Sequence, residues 1–239
     1  MSAPLPALPQ LVAALDSHDS AAVLALAGQL QGVVPWVKVG LELYAHAGPD
    51  MLTRLKDRGF RVFVDLKMFD IPNTVRGGVA AAMGRGADML TIHTLGGEAM
   101  AGAALEAAHA RPAAERPLLM GVTVLTSMDN GDLPAYTGDL RQLATHLAEQ
   151  AFGWGLDGVV CSGHEVRSIK EICSPDFLCL TPGIRPRGSN LDDQSRIVTP
   201  AQAVRAGANF LVVGRPISTA ADPRQAAMGI LQEMESAHT

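Results

Sequence analysis

Aromatic residues are scarce in this chain: Phe, Trp and Tyr make up 4% of its 239 residues. Stacking successive nucleobases takes more of them. No basic excess compensates, because the net charge is −5. Both features exclude a nucleic-acid binder. Cysteine is equally sparse. Cys161, Cys173 and Cys179 are odd in number and form no CxxC pair, so neither a disulfide framework nor a structural zinc site is expected. No apolar run approaches the ~18 residues that span a bilayer. Met1 to Pro9 lacks the basic and apolar regions of a secretory signal. We therefore expect a soluble, cytoplasmic protein with no membrane partner. No His/Asp/Glu cluster has metal-ligand spacing and no GxGxxG opens a helix, so neither metal nor cofactor is expected.

What the chain does have is apolar substance, at 48% hydrophobic residues, enough for one large domain spanning residues 1–239. Short β-type runs alternate with Ala/Leu-rich helical stretches along its whole length. Eight candidate strands are 11–15, 36–39, 61–67, 89–93, 118–124, 158–161, 177–181 and 210–213. Amphipathic stretches fall at 21–30, 50–58, 74–85, 98–110, 140–152, 165–172, 200–206 and 223–235. Gly59, Gly86, Gly155 and Gly207 each close a helical stretch just before a strand, as a left-handed C′ residue would. The repetition predicts an α/β fold, a (β/α)₈ barrel of TIM type, over the rival open doubly wound sheet.

In such a barrel the chemistry lies at the C-terminal ends of the strands. Those ends here carry Asp16, Lys38, Asp65 and Lys67, His93, Thr126, Ser162, Pro182 and Arg185, and Gly214 and Arg215. The densest signal is the third. Asp65-Leu-Lys67-Met-Phe-Asp70-Ile-Pro-Asn-Thr74 follows the apolar run Val62–Val64. Strand alternation puts Asp65 and Lys67 on one face. Ile71-Pro72 ends the regular structure and leaves Asp70 in the following loop. Charges this dense are costly in a core and natural in an active site. Residues 185–198 show no regular pattern and read as a lid. Arg185, Gln194, Gly214 and Arg215 would suit a phosphate at the seventh and eighth strand ends.

These residues also resemble a known family. Asp65 to Thr74 is similar to the signature of the orotidine 5′-phosphate decarboxylases, bacterial type. Ala14-Leu15-Asp16, Val37-Lys38-Val39-Gly40, Val124-Leu-Thr126-Ser127-Met128, Thr181-Pro182-Gly-Ile-Arg185-Pro186 and Val212-Val-Gly214-Arg215-Pro-Ile217 resemble that family's blocks in its order. The resemblance implies a carboxy-lyase that converts orotidine 5′-phosphate to UMP and CO₂, with no cofactor, as a homodimer with shared sites. It implies Lys67 as proton donor, with Asp65 either pressing on the substrate carboxylate or orienting Lys67. Asp70 would act in the partner's site beside Thr74. Lys38 would complete an alternating catalytic array with Asp65, Lys67 and Asp70 and, with Asp16, bind ribose; Thr126 would address the pyrimidine. Pro182, Arg185, Gln194, Gly214 and Arg215 complete the substrate contacts. The nearest rivals are a metal-dependent sugar-phosphate lyase on the same barrel and a non-catalytic phosphate binder.

Other polar residues have plainer readings. His93 reads as a hydrogen-bonded structural residue before Gly96-Gly97, Asp19 and Asp222 as helix starts, and the cysteines as small core residues.

Overall fold

A computed structural model describes residues 8–133, 136–186 and 197–238. Among these, eight parallel strands close a barrel in sequence order. They are β1 (Gln10–Ala14), β2 (Trp36–Gly40), β3 (Arg61–Met68), β4 (Met89–His93), β5 (Leu118–Val122), β6 (Gly158–Val160), β7 (Leu178–Thr181) and β8 (Phe210–Val213). Pairing of Val12 with Val212 joins β1 to β8 and excludes the open sheet. The helices are α1 (Ser20–Leu30), α2 (Leu41–Ala47), α3 (Asp50–Lys56), α4 (Pro72–Gly84), α5 (Gly97–His109), α6 (Leu140–Gly153), α7 (Val166–Ile172), α8 (Pro200–Ala206), α9 (Arg215–Ser218) and α10 (Pro223–His238). Among the described residues no helix is long and apolar enough to cross a membrane.

Strand alternation sorts the core into two layers. Outward residues such as Leu11, Val37 and Leu90 pack under the helices. Inward residues such as Val12, Trp36, Phe63, Met89 and Phe210 fill the barrel. Trp36 and Phe210 meet edge to face at 5.4 Å near the N-terminal ends of their strands. Large side chains thus plug the lower barrel, while Ala14, Gly40 and Gly214 leave its mouth open.

The four predicted helix-ending glycines adopt positive φ, from 83° at Gly59 to 100° at Gly207. Three of them introduce a repeated clamp two residues later. The Asp88 N–H donates to Val62 O (2.9 Å), and Asp88 Oδ2 accepts from the Val62 N–H (2.7 Å). Asp157 exchanges the same two bonds with Leu119, at 3.1 and 2.8 Å. Asn209 does so with Cys179, at 2.8 and 2.9 Å. Each clamp ties the start of an even-numbered strand to the strand before it and satisfies a backbone donor at the barrel's lower rim.

Two short helices depart from the sequence reading. Helix α2 starts on the residue after β2, with Gly40 as an N-cap that offers no side chain. No polar linker announces it. Helix α9 is a single turn opening at Arg215. The third departure is in β3. Val64 lies opposite Leu90 but Met68 lies opposite Ile92, so β3 spends four residues where β4 spends two. Lys67 sits inside this bulge at φ 50°, the one non-glycine residue with positive φ among those described. The simple alternation expected to align Asp65 with Lys67 is therefore broken. A bulge at a strand end can re-aim a side chain, and here it does.

Candidate active site

A cavity of about 570 Å³ opens at the C-terminal ends of the strands. That volume lies within the usual range for small-molecule sites. Nine of the sequence-predicted residues line it: Asp16, Lys38, Asp65, Lys67, Thr126, Pro182, Arg185, Gly214 and Arg215. They come from both halves of the chain.

One wall carries alternating charge. Asp16, in the loop after β1, accepts from Lys38 Nζ on β2 at 2.8 Å. Lys38 Nζ stands 3.7 Å from Asp65 Oδ2. Asp65 Oδ1 accepts from Lys67 Nζ at 2.9 Å. Lys38 and Asp65 are largely sequestered, with side chains 11% and 13% exposed, while Lys67 is 34% exposed toward the opening. Space for the outer pair depends on Gly40. A Cβ there would lie 2.8 Å from Lys38 Nζ and 2.9 Å from Asp16 Oδ1. Thr91 on β4 was not singled out by sequence. It is fully buried, and its hydroxyl bridges Lys67 N (2.9 Å) and Asp65 Oδ1 (3.1 Å). A threonine inside a regular strand carries no local signal for such a role.

The cavity's lining continues from the charged run round to the ends of β7 and β8, the latter paired with β1. Arg185, Gly214 and Arg215 border the cavity there, and Arg185 is nearly buried. The ends of the irregular segment are pinned together, since Arg185 N donates to Val198 O at 2.9 Å. Gln194, and residues 187–196 of the predicted lid, lie outside the described residues.

Two predicted site residues are not in this cavity. Asp70 is exposed in the loop after β3, where its carboxylate accepts from the Ile71 N–H at 2.6 Å. Thr74 is exposed on α4. Within one chain the charge array therefore ends at Asp16 rather than at Asp70. Flanking Asp70 are Phe69 and Ile71, 60% and 66% exposed, and nearby strand ends add Leu41 and Leu95, 63% and 47% exposed.

The contacts of the remaining polar residues fit the plainer readings, except that Cys173 is only partly buried. His93 Nδ1 accepts from Leu95 N at 3.3 Å, and its ring lies 5.5 Å from Phe69. Burial first, and the Lys67 ammonium second, keep its imidazole below the usual histidine pKa. Asp19 caps α1 through Ala21 N and Ala22 N, and Asp222 accepts from Gln225 N. Cys161 and Cys179 are buried and unbridged. Burial pushes the Cys173 thiol up to about 11, so it stays protonated at neutral pH.

Comparison with known proteins agrees with this architecture. The family model described as orotidine 5′-phosphate decarboxylase / HUMPS family matches residues 9–230. The chain belongs to that family. Orotidine 5′-phosphate decarboxylase of Maridesulfovibrio salexigens is 56% identical over 229 residues, covering 95% of this chain and 99% of that protein. The enzyme of Nitratidesulfovibrio vulgaris (strain DP4) is 55% identical over 228 residues, covering 94% and 97%. The crystal structure of orotidine 5′-phosphate decarboxylase from Lactobacillus acidophilus superposes with a TM-score of 0.84 at 36% identity, covering 95% of this chain and 99% of that one. This decarboxylase / HUMPS family match runs from β1 into α10, so it takes in every residue that lines the cavity.

Proposed function

We propose that this chain decarboxylates orotidine 5′-phosphate to UMP and CO₂, a step of pyrimidine biosynthesis. The observation that carries the reading is the run Asp16–Lys38–Asp65–Lys67, closed by contacts of 2.8, 3.7 and 2.9 Å, lining one cavity together with Arg185 and Arg215. Relatives bearing that enzyme's name at 55–56% identity support it.

Breaking the bond between C6 and the carboxylate leaves an electron pair on C6 with no adjacent sink. A barrier of this kind asks for stabilisation on the order of 20 kcal/mol. Fixed charges, two of which (Lys38 and Asp65) are largely sequestered from water, can supply much of it, because they need no reorganisation as the carbanion forms. Lys67 is the acid: its ammonium faces the developing charge, then gives a proton to C6. Asp65 orients Lys67, and its second oxygen faces Lys38. Repulsion between Asp65 and the substrate carboxylate would add to the rate by raising the ground state. Asp16 and Lys38 bind ribose, and Thr126 binds the pyrimidine. The 5′-phosphate takes Arg185, Arg215 and the Gly214 backbone, with Pro182 beside it. Phosphate binding far from C6 then contributes to rate by holding the substrate in register.

The reading includes a homodimer. Asp70 and Thr74 are exposed and do not line their own cavity, and Leu41, Phe69, Ile71 and Leu95 are exposed apolar residues of the same upper end. An apolar patch of this kind suits burial against a second copy, which would bring Asp70 and Thr74 to the partner's site. The reading also takes residues 1–239 as one domain acting in the cytoplasm, without metal, cofactor, nucleic acid or membrane.

The test is CO₂ release and UMP formation from orotidine 5′-phosphate with EDTA present. Turnover undiminished by EDTA is expected. Turnover of a keto-hexulose phosphate that EDTA abolishes would favour the sugar-phosphate rival, and no turnover of either substrate would leave only a binder.

A further inference from the structure

We propose that Thr91 is a positioning residue that sets the Asp65–Lys67 pair, an inference that rests on the decarboxylase reading for its kinetic consequence. The Thr91 side chain points into the barrel one step above the inward Met89 and is fully buried. Its bonding is directional. A backbone N–H can only donate, so the 2.9 Å contact with Lys67 N makes Oγ1 the acceptor there. The hydroxyl's single proton then goes to Asp65 Oδ1 at 3.1 Å. The same oxygen accepts from Lys67 Nζ at 2.9 Å. A closed ring results: Lys67 backbone to Thr91, Thr91 to Asp65, Asp65 to the Lys67 ammonium.

The ring accounts for the bulge. At φ 50° the Lys67 backbone is in a region that L side chains rarely adopt. Between the pairs Val64–Leu90 and Met68–Ile92 the ladder offers the Lys67 N–H no regular strand partner. Thr91 supplies one. Strain of this kind persists only where the surroundings over-determine it. Thr91 thereby divides the labour of Asp65: Oδ1 is committed to Thr91 and Lys67, and Oδ2 is left facing Lys38 at 3.7 Å.

The experiment compares Thr91→Val, which keeps the shape and removes the hydroxyl, with Thr91→Ser, which keeps both bonds. Thr91→Val is expected to lower kcat by about 10–100-fold, the range for a lost hydrogen bond to a charged group. KM for orotidine 5′-phosphate should stay within about threefold, and Thr91→Ser should restore kcat to within about threefold of wild type. A merely structural threonine would instead lower Tm and leave kcat alone. A Thr91→Val kcat near wild type, or a Thr91→Ser as slow as Thr91→Val, would overturn the inference. Should Thr91→Val not fold, Thr91→Ala is read by the same criteria. A crystal structure of the hydroxyl-free variant decides independently of activity. Lys67 is expected to leave positive φ and its ammonium to move out of reach of Asp65. An unchanged pair would overturn the inference even in a protein that turns over nothing, whereas a wild type inactive on orotidine 5′-phosphate would overturn only the decarboxylase reading.

Discussion

At the lower end of the barrel, Asp157 holds its carboxylate against one backbone N–H, that of Leu119, at 2.8 Å. At the upper end, Asp65 shares two oxygens among Thr91, Lys67 and Lys38. The lower arrangement recurs at Asp88 and Asn209, and each copy answers a single strand residue. Lys56 supports Asp88 at 2.8 Å, and Lys170 supports Asn209 at 2.8 Å. The upper arrangement occurs once and draws on β1, β2, β3 and β4 together. Lower polar groups satisfy backbone donors that folding would otherwise orphan, so they serve stability. Upper charges mostly satisfy one another. Buried ion pairs return little net stability, and apolar replacements of similar volume often match or exceed them. Four charged groups gathered at one opening, with Lys38 and Asp65 largely buried, therefore make sense as chemistry rather than as a structural brace.

The comparison can be broken first at Lys67. Lys67→Ala should lower kcat/KM by at least about 10³-fold while Tm moves little, since an upper-rim group serves reaction and not fold. Asp70→Ala should be comparably slow. In the proposed homodimer, mixing the two inactive variants should restore about one working site per hybrid, and absence of recovery would count against a shared site. Arg215→Ala comes next, with kcat/KM on the phosphorylated substrate falling about 10²-fold or more. Unchanged kinetics would remove Arg215 from the phosphate grip. Gly40→Ala probes the outer pair. Its new Cβ meets the far ends of Lys38 and Asp16, so the fold should tolerate it while kcat/KM drops roughly tenfold. A new methyl with no kinetic effect would show that the Lys38–Asp16 contact is dispensable.

The smallest effect belongs to the lower rim and shows only in pH dependence. Burial raises the Asp157 pKa above 3.8, against the weaker pull of the Leu119 N–H. Its folded form then holds a proton more readily than its unfolded form. The resulting stability is fully present below about pH 3.8 and is lost as pH rises through the raised folded value. Asp157→Asn does not titrate and keeps an acceptor for Leu119, as Asn209 already does for Cys179. Its Tm should therefore gain on wild type as pH rises from about 4 to neutrality. Parallel Tm–pH profiles would show that Asp157 does not titrate differently in the two states.

The two ends were not equally legible in the sequence. Lower-rim order follows from local rules: glycine at a left-handed C′ position, then Ala or Leu, then Asp or Asn. Such rules act within a few residues, which is why strands and most helices were predicted to within a few residues. Helix α2 escaped because it starts directly after β2 with a glycine cap and no polar stop. At the upper rim, strand-end position picked out Asp16, Lys38, Asp65, Lys67, Thr126 and the two arginines, and the family resemblance joined them into one site. Their order along the wall was not readable. Asp70 was expected in the partner's site, and within one chain it lies outside the cavity, where Asp16 ends the charged run.

By itself, then, the sequence determined the eight βα units, the strand ends that carry charge and the family resemblance, because periodicity, capping and motif spacing are properties of the chain. Only the tertiary structure decided which charges touch, since contacts between β1, β2, β3 and β4 depend on barrel closure and register. It also revealed Thr91, whose neighbours in space lie 24 and 26 residues away in the chain. And it replaced the regular strand assumed for Asp65 and Lys67 with a bulge, because the Thr91 hydroxyl, not the β-ladder, takes the Lys67 N–H.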